Sequence, residues 1–298
     1  MLKKVFPLCL VLLASSYCRG SDQTSLEEAL ASGDMERWQA EAKRNAEQTV
    51  KPKSISQLRS ELEEFENVYV PEKGIGPFPT LILLHGCSGP TPSHEQDWAK
   101  RLNQAGIAVI APDSFAGRGH SWKDACDAKV MTPWERSGDI VATIESLKER
   151  AYADAEKVYI AGFSHGAITA WTFMQQLSEG RPPLSVQKYP ETDYQAAIHG
   201  AFLFYGSCKG KWDVEIETVA FLGSDDRYID EKTCVEYAKA HPERAGSFEF
   251  TVYAGATHTF DHASPNQANI EAGSRYDARA TEAAWQRMRS LILDSEHE

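Results

Sequence analysis

The sequence predicts a doubly wound α/β fold, in which helices cover both faces of a mostly parallel sheet. From about residue 67 onward, short and nearly continuous apolar runs recur along the chain, and helical stretches lie between them. Such runs are typical of strands buried on both faces, and their alternation with helices favours parallel pairing. The chain has 298 residues, 42% hydrophobic and 25% charged, which is the composition of a globular protein able to bury one large core.

The N-terminus differs from the rest of the chain. Lys3 and Lys4 precede an apolar run at residues 5–14, and small residues follow that run. A basic start, a short apolar run and a small-residue exit are typical of a secretory signal peptide. The run is too short to span a bilayer stably. The sequence therefore predicts a signal peptide at residues 1–20 and export to the periplasm or the exterior.

Two alternatives to a cleaved signal peptide stay open. One is a cytosolic N-terminal helix, and the other is lipoprotein anchoring at Cys18, which the bulky Tyr17 before it disfavours. Cleavage after Gly20 would remove three positive residues and no acidic one, so the net charge of −12 would become more negative. The acidity argues against a nucleic-acid partner, because phosphate binding requires clustered Lys and Arg.

Four of the six cysteines lie outside the predicted signal peptide. An even number in an exported protein predicts two disulfides. Three pairings are possible, and spacing alone does not choose among them. We favour Cys87 with Cys126 and Cys208 with Cys234. The alternative is four free buried thiols, as in a cytosolic protein.

Residues 21–66 are polar and rich in Glu, Ala and Gln. Ser25–Ala46 and Ser54–Glu64 are predicted to be helices, each beginning near a serine that can cap it, and Lys51-Pro52-Lys53 separates them. We interpret this segment as an N-terminal helical extension and residues 67–298 as one catalytic domain.

The predicted strands and helices alternate through that domain. The strands are Thr80–Leu84, Ile107–Ile110, Val158–Ile160, Ala201–Phe204, Val219–Leu222 and Phe248–Tyr253, and the helices are Gln96–Gln104, Trp134–Arg150, Gly166–Leu177, Glu231–Ala240 and Thr281–Leu293. In such sheets, functional residues gather in the loops at the carboxyl ends of the strands. A Pro-containing insertion at residues 179–200 either lines a pocket mouth or is a plain surface connection.

A nucleophile motif follows the third predicted strand. Residues 162–166 read G-F-S-H-G, and a helix follows at once. This is the G-x-S-x-G pattern in the strand–turn–helix context of a nucleophilic serine. The strained turn lifts the hydroxyl above the sheet, and the helix N-terminus places N–H groups near the developing oxyanion. The motif predicts Ser164 as the nucleophile; the alternative is a structural serine in a tight turn.

The acid and the base of a triad should follow the nucleophile in that order. Asp225 and Asp226 both come after the predicted strand Val219–Leu222, and His258 comes after the last strand. In this arrangement His258 removes the Ser164 proton, while the aspartate fixes its tautomer and stabilises the imidazolium.

A metal site is the competing interpretation of His258. His258 and His262 are four residues apart, with Asp261 between them. The zinc hydrolase motif has Glu directly after its first His, whereas Thr259 stands there in this chain. No metal or cofactor is therefore predicted, and His262 is interpreted as a structural or rim residue.

The loop after the first predicted strand supplies a second oxyanion donor. Residues 85–89 read H-G-C-S-G, and such a turn can place a backbone N–H beside the nucleophile. We predict the backbone N–H groups of Cys87 and His165 as the oxyanion hole. The His85 side chain is interpreted as a brace for the loop.

Together these motifs resemble the dienelactone hydrolase family of the α/β-hydrolase superfamily over residues 67–298. That resemblance implies an α/β-hydrolase fold. The family's acid lies three residues after the glycine of its strand-end turn, which here is Gly223 and favours Asp226 over Asp225. A cysteine eight residues after the acid, here Cys234, is similar to the pattern in one secreted-type branch of the family. The matching stretches are L-L-H-G-C-S-G (Leu83–Gly89), A-P-D-S-F (Ala111–Phe115), A-G-F-S-H-G (Ala161–Gly166), F-L-G-S-D-D (Phe221–Asp226) and Y-A-G-A-T-H-T-F-D (Tyr253–Asp261).

The chain departs from the family's best-known members at two positions. Those members use a Cys nucleophile and a Glu beside it in the oxyanion loop, where this chain has Ser164 and Gly86. The resemblance then implies an ordinary Ser-His-Asp esterase arrangement.

Arg118, Cys126 and Arg136 also look like the secreted-type branch. We interpret the two arginines as structural residues that pair with Asp113 or Asp139. The alternative is that Arg118 contacts an acidic substrate.

The sequence thus predicts an exported serine hydrolase that cleaves a small carboxylic ester or lactone. Two alternatives use the same fold: a catalytically silent binding protein, and an acyltransferase that passes the acyl group to an alcohol or amine. The first is disfavoured because all three triad members are present in order. No oligomeric state is predicted.

Overall fold

A single seven-stranded sheet organises the part of the chain that the computed structural model describes, which comprises residue 28, residues 35–271 and residues 273–294. The predicted signal peptide lies outside these residues. The strands are β1 (Glu66–Tyr69), β2 (Phe78–Leu84), β3 (Ala108–Pro112), β4 (Ala153–Phe163), β5 (Ile198–Phe204), β6 (Thr218–Gly223) and β7 (Phe248–Tyr253).

Helices separate most of these strands, as the alternating pattern predicts. They are α1 (Met35–Thr49), α2 (Ile55–Leu62), α3 (Pro92–Gln104), α4 (Trp122–Cys126), α5 (Pro133–Leu147), α6 (His165–Ser178), α7 (Tyr194–Ala197), α8 (Lys232–Ala240), α9 (Gln267–Glu271) and α10 (Ala278–Asp294). Short 3₁₀ turns occupy Glu63–Phe65, Ala116–Arg118 and Pro242–Arg244. Within the described ranges, no helix has the length and apolar character needed to cross a membrane.

The strand order is β1-β3-β2-β4-β5-β6-β7, and all neighbours from β3 to β7 pair in parallel. The predicted mostly parallel, doubly wound sheet is therefore confirmed. The exception is β1, which pairs antiparallel to β3 with Val68 opposite Ile110. The sequence did not predict β1 because its four residues lack an apolar run, and Val68 is itself 38% exposed.

Two apolar layers cover the sheet, because successive strand residues point to opposite faces. In β2, Ile82 and Leu84 face one layer, whereas Leu81 and Leu83 face the other. The first layer is completed by α2, α5, α6 and α8, and the second by α3 and α10. With both faces covered, the loops at the carboxyl ends of the strands remain free to form a site.

The second helix of the N-terminal segment is part of the first layer. It begins with a capping box, in which Ser54 Oγ accepts the Gln57 N–H (3.3 Å) and Gln57 Oε1 accepts the Ser54 N–H (3.0 Å). Its Leu58 and Leu62 are buried in the core. In contrast, α1 meets the rest of the chain through a small cluster of Trp38, Ala42 and Ala128.

The insertion at residues 179–200 packs beside the start of α2. The Lys53 N–H donates to the Ser185 carbonyl (2.7 Å), and the Gln187 N–H donates to the Lys53 carbonyl (3.0 Å). Ser185 Oγ also donates to the Glu135 carbonyl at the start of α5 (2.6 Å). The segment connects these elements, and none of its residues lines the cavity over Ser164 described below.

Candidate active site

Ser164 occupies a strained turn between β4 and α6. Its φ and ψ are +54° and −114°, a backbone conformation that side chains larger than Gly rarely adopt and that is typical of residues held for function. The flanking glycines permit the turn. A Cβ on Gly162 would lie 2.4 Å from the Gly166 carbonyl oxygen, and a Cβ on Gly166 would lie 2.1 Å from that of Leu84. Larger residues there would push α6 away from β2 and β4.

The three residues predicted as a triad lie in hydrogen-bond contact. His258 Nε2 lies 3.0 Å from Ser164 Oγ, and His258 Nδ1 lies 2.8 Å from Asp226 Oδ2. The Asp226 side chain is 2% exposed, and its second oxygen accepts the N–H groups of Tyr228 (2.8 Å) and Ile229 (3.0 Å). An ionised carboxylate only accepts, so the His258 proton resides on Nδ1 and Nε2 is free to accept from the serine.

The structure places Asp226, and not Asp225, against His258. Asp225 is exposed, and its carboxylate lies 3.7 Å from the Arg275 guanidinium on the surface. The two residues follow the same strand, but the turn directs only the second inward.

The two segments predicted to supply oxyanion donors both lie next to Ser164. His165 is the first residue of α6, and the first N–H groups of a helix have no partner within it. Cys87 lies in the loop after β2. A Cβ on the preceding Gly86 would lie 3.7 Å from Ser164 Cβ, so this loop passes close to the nucleophile.

One buried arginine holds both of these segments. Arg136, on α5, is fully buried, and its Nη1 donates to the His85 carbonyl (2.8 Å) and to His165 Nδ1 (2.9 Å). Its Nε donates to Ser114 Oγ (2.8 Å). Burial lowers the pKa of Arg136 to about 10, so the guanidinium stays protonated at neutral pH. Arg136 interacts with Asp139 and Asp113 through its charge, but its hydrogen bonds go to these loops and not to the predicted carboxylates.

The two histidines beside Arg136 are uncharged. Burial, and then the charge of Arg136, lowers the pKa of His165 to about 3. Burial also lowers the pKa of His85 well below its ordinary value. His85 Nδ1 donates to the Gly86 carbonyl (2.7 Å) and Nε2 accepts the Ser114 N–H (3.2 Å). The His85 side chain thus braces the loop after β2.

The Arg118 side chain forms salt bridges within the protein. It donates from Nη2 and Nη1 to the two carboxylate oxygens of Asp139 (2.7 and 3.2 Å), and from Nε to Glu61 (2.9 Å). Its side chain is 6% exposed and does not line the cavity. The pairing with Asp139 agrees with the structural interpretation, so the alternative contact with an acidic substrate is not retained.

A cavity of about 810 Å³ opens over Ser164 and His258. Its walls are formed by loops from the early and late parts of the sequence and by one residue of the N-terminal extension. The lining residues include Trp38 of α1, Trp122 of α4, His94 and Glu95 of α3, Tyr205, Arg227, Tyr228, Thr259, His262 and Asn266.

Two disulfides join the four cysteines, in the pairing that we favour. Cys87 is bonded to Cys126, and Cys208 to Cys234. The first bond forms part of the cavity wall, whereas the second is buried in the core.

A second histidine–aspartate pair lies beside the triad. His94 Nε2 lies 2.8 Å from Asp261 Oδ2, which also accepts Trp98 Nε1 (2.8 Å), and Tyr205 Oη donates to Asp261 Oδ1 (2.9 Å). Burial alone would raise the pKa of Asp261, but its interactions with His94, His262 and Trp98 hold that pKa well below its ordinary value. Burial raises the pKa of Tyr205 well above its ordinary range, so this phenol stays protonated.

His94, Asp261 and His262 bring three potential metal-ligand atoms within 4.8 Å of one another. The two imidazoles, however, are stacked, with ring centroids 3.7 Å apart and planes inclined by 21°. The lone pair of an imidazole nitrogen lies in the ring plane, so these lone pairs run side by side and do not converge on one ion. Asp261 is also already occupied by three donors. The cluster therefore fits a hydrogen-bonded network better than a metal centre.

The sequence did not point to several of these residues. The H-T-F-D-H stretch offered a weak signal for Asp261 and His262, but His94 lies on a distant helix with no motif around it. Trp38 gave no signal, because only the packing of α1 places it in the cavity. Arg227 could have been predicted to line the cavity, because it directly follows Asp226 in the sequence.

Comparison with known protein families matches residues 66–294 to the "Dienelactone hydrolase family". A relative from Aquifex pyrophilus, named protein usf, is 24% identical over 219 residues, which span 70% of this chain and 84% of the relative.

Two solved structures share the fold. A dienelactone hydrolase-like promiscuous phosphotriesterase from metagenomic libraries has a TM-score of 0.57 at 18% identity, covering 77% of this chain and 91% of the other. The apo form of Thermogutta terrifontis esterase 2 has a TM-score of 0.55 at 17% identity, covering 77% and 88%.

Proposed function

Because the chain belongs to the dienelactone hydrolase family and is thus a carboxylic ester hydrolase, we propose that it cleaves small esters or lactones through a Ser164–His258–Asp226 triad. The observation that carries this proposal is the continuous chain of hydrogen bonds from Asp226 through His258 to Ser164. The strained turn at Ser164 and the cavity above it support the same conclusion.

In the first half of the reaction, Ser164 Oγ attacks the carbonyl carbon while its proton passes to His258 Nε2. The negative charge that develops on the carbonyl oxygen is stabilised by the N–H groups of Cys87 and His165. The tetrahedral intermediate then breaks the bond to the leaving alcohol, which takes the proton from His258. An acyl-enzyme on Ser164 results.

In the second half, water replaces the alcohol. His258 takes a proton from water as the water oxygen attacks the acyl carbon, and it returns that proton to Ser164 as the acid leaves. Asp226 stays ionised throughout and stabilises the imidazolium. With a lactone, the leaving alkoxide remains part of the product, which is a hydroxy acid.

The test measures ester hydrolysis by a variant of the nucleophile and by variants of the two neighbouring aspartates. Ser164→Ala and Asp226→Ala should each lower kcat for p-nitrophenyl acetate by about 10⁴. Asp225→Ala should retain the wild-type rate, because Asp225 lies on the surface beside Arg275. A fluorophosphonate should label the wild type and Asp225→Ala on Ser164, and it should not label Ser164→Ala. Equal rates for Ser164→Ala and wild type would reject the triad, and product analysis with added alcohols would reveal acyl transfer.

We also propose that the enzyme acts after export, with residues 1–20 removed as a signal peptide, residues 21–66 as an N-terminal extension and residues 67–298 as the catalytic domain. Two disulfides support this, because such bonds persist in oxidising compartments. N-terminal sequencing of the protein recovered from a cell-surface or periplasmic fraction should begin near Ser21. A full-length chain confined to the cytosol would contradict the proposal.

A further inference from the structure

Three polar side chains outside the triad line the same cavity as Ser164. They are His94, on α3, and Thr259 and His262, in the loop after β7. Their exposed fractions are 7%, 6% and 7%. Each is therefore more than nine-tenths buried, although each borders the space that a substrate would fill.

Two of these side chains have no hydrogen-bond partner among the described residues. Thr259 Oγ1 and His262 Nδ1 are both buried and unpaired. His94 uses Nε2 to bind Asp261, which leaves its Nδ1 as the unengaged nitrogen. Buried polar atoms without partners destabilise a protein, so a ligand group or water that pairs with them is favoured.

The protonation state of this wall selects the kind of group it can bind. Burial lowers the pKa of His262 to about 3, so its ring is neutral and offers one donor and one acceptor. Thr259 can also donate and accept. His94 keeps Nε2 at Asp261, so Nδ1 is the nitrogen left for a ligand group. A hydroxyl group both donates and accepts, whereas a carboxylate only accepts and would lie near the charge of Asp261.

We propose that His94, Thr259 and His262 form a subsite for an uncharged hydroxyl group of the substrate. The enzyme then favours hydroxylated esters or lactones over unsubstituted ones of the same size. This inference rests on the proposed ester hydrolysis and adds the substrate class to it.

The experiment uses two pairs of esters that differ only in hydroxyl groups. Methyl 3-hydroxybutyrate and methyl butyrate place the difference in the acid part, and glycerol 1-monobutyrate and propyl butyrate place it in the alcohol part. Each kcat/KM is divided by the rate of alkaline hydrolysis of the same ester, which removes intrinsic reactivity. We expect the hydroxylated member to be favoured about tenfold or more in one pair, which assigns the subsite to that part of the substrate.

Isosteric variants connect that preference to the named residues. Thr259→Val and His262→Phe should each reduce the preference at least threefold, without lowering Tm, because they remove unpaired polar atoms from a buried wall. Thr259→Ser should restore the preference. The matched control is Thr143→Val: Thr143 is equally buried with an unpaired Oγ1, but it lies on α5 away from the cavity. That variant should keep both the activity and the preference of the wild type.

Each result has a definite meaning. Hydrolysis of all four esters with no preference would overturn the subsite and leave the proposed function intact, whereas hydrolysis of none would overturn both. If Thr259→Val and His262→Phe leave the preference unchanged, these residues do not form the subsite. If the variants reduce the preference but also lower Tm strongly, the residues serve the fold alone. Loss of the preference after dialysis against EDTA would assign the cluster to a metal ion and overturn the inference.

Discussion

Arg136 places one buried cation between the two segments that supply the proposed oxyanion donors. Its Nη1 binds the His85 carbonyl, at the end of β2, and the His165 ring, at the start of α6. A shift of either segment would lengthen a hydrogen bond to the same nitrogen. Arg136 thus fixes the distance between the Cys87 and His165 N–H groups without facing the substrate, and we regard it as a positioning residue.

Replacing Arg136 should slow catalysis more than it weakens substrate binding. Arg136→Lys keeps the charge but loses the planar fork that reaches three acceptors. We expect kcat for p-nitrophenyl acetate to fall about 10- to 100-fold with little change in KM, because an oxyanion donor acts in the transition state. The control is Arg118→Lys, which also breaks a buried cation contact but should mainly lower stability. Equal effects of the two variants on kcat would contradict the assignment.

His262 should make the protein sensitive to acid. Its folded pKa of about 3 is below the ordinary value of about 6.5. Between these values only the unfolded chain binds the proton, so the free energy of unfolding falls as pH is lowered through this window. The neighbouring groups are Asp261, His94 and His258, and among them only Asp261 is negative.

The measurement is urea unfolding at several pH values between 7 and 4.5. Wild-type stability should decrease with acid, and His262→Phe should reduce that slope by about 1.4 kcal/mol per pH unit near pH 5. His165 contributes in the same direction in both proteins, since its pKa is also lowered to about 3. Parallel curves for the two proteins would exclude His262 as a source of the acid sensitivity.

The close approach of Ser164, His258 and Asp226 was predictable from the sequence because each residue follows a recognisable strand. Ser164 lies in a G-x-S-x-G motif, and His258 follows the last strand. Asp226 is one of two adjacent aspartates, and the family resemblance favoured it over Asp225. The partners of Arg118 and Arg136 were not predictable in the same way. They lie on helices and loops distant in sequence, and which arginine meets Asp139 depends on how those elements pack.

At the scale of elements, the sequence predicted the buried strands well and the short surface elements poorly. Strands β2 to β6 are nearly continuous apolar runs and β7 alternates, so all six were found. β1, α4, α7 and α9 have at most five residues each and no strong period, so nothing in the sequence distinguished them from loops. Two of these elements, α4 and α9, nevertheless supply residues of the cavity wall.

The helix α1 should influence substrate binding, although it lies outside the region that matches the family. Its Trp38 lines the cavity, and the indole Nε1 is buried with no partner among the described residues. Trp38→Ala should raise KM for aryl esters about 5- to 20-fold with a smaller change in kcat, because a wall of the cavity is removed.

Deleting residues 21–50 should give the same kinetic change and preserve the fold. The α2 helix would remain, and its Leu58 and Leu62 belong to the core. As a control, Leu58→Ala should lower the free energy of unfolding by about 2–5 kcal/mol and leave KM unchanged. An unaltered KM in both the Trp38 variant and the truncated chain would show that α1 plays no part in the cavity.

At the scale of the whole molecule, the two disulfides brace different structures. They close loops of similar size, with separations of 39 and 26 residues, so their contributions to stability should also be similar. One bond, however, borders the cavity and adjoins the proposed oxyanion loop, while the other lies between buried segments.

Removing each disulfide should therefore separate stability from activity. The double variants Cys87→Ser/Cys126→Ser and Cys208→Ser/Cys234→Ser should each lose about 2–5 kcal/mol of unfolding free energy. Only the first should also lower kcat, about tenfold, because the Cys87 N–H is then less well held. Circular dichroism in urea and steady-state kinetics measure the two effects. A kcat that falls equally in both variants would refute a special role for the first bond.

The Cys87–Cys126 bond also bears on when a newly made chain becomes active. A polypeptide that has not yet been oxidised has the proposed nucleophile and base, but its proposed oxyanion loop lacks one of the contacts that hold it. If kcat falls in the first double variant, then the reduced precursor is a weakly active form, and oxidative maturation is the step that switches it on. The producing cell would then be spared unwanted ester cleavage during synthesis.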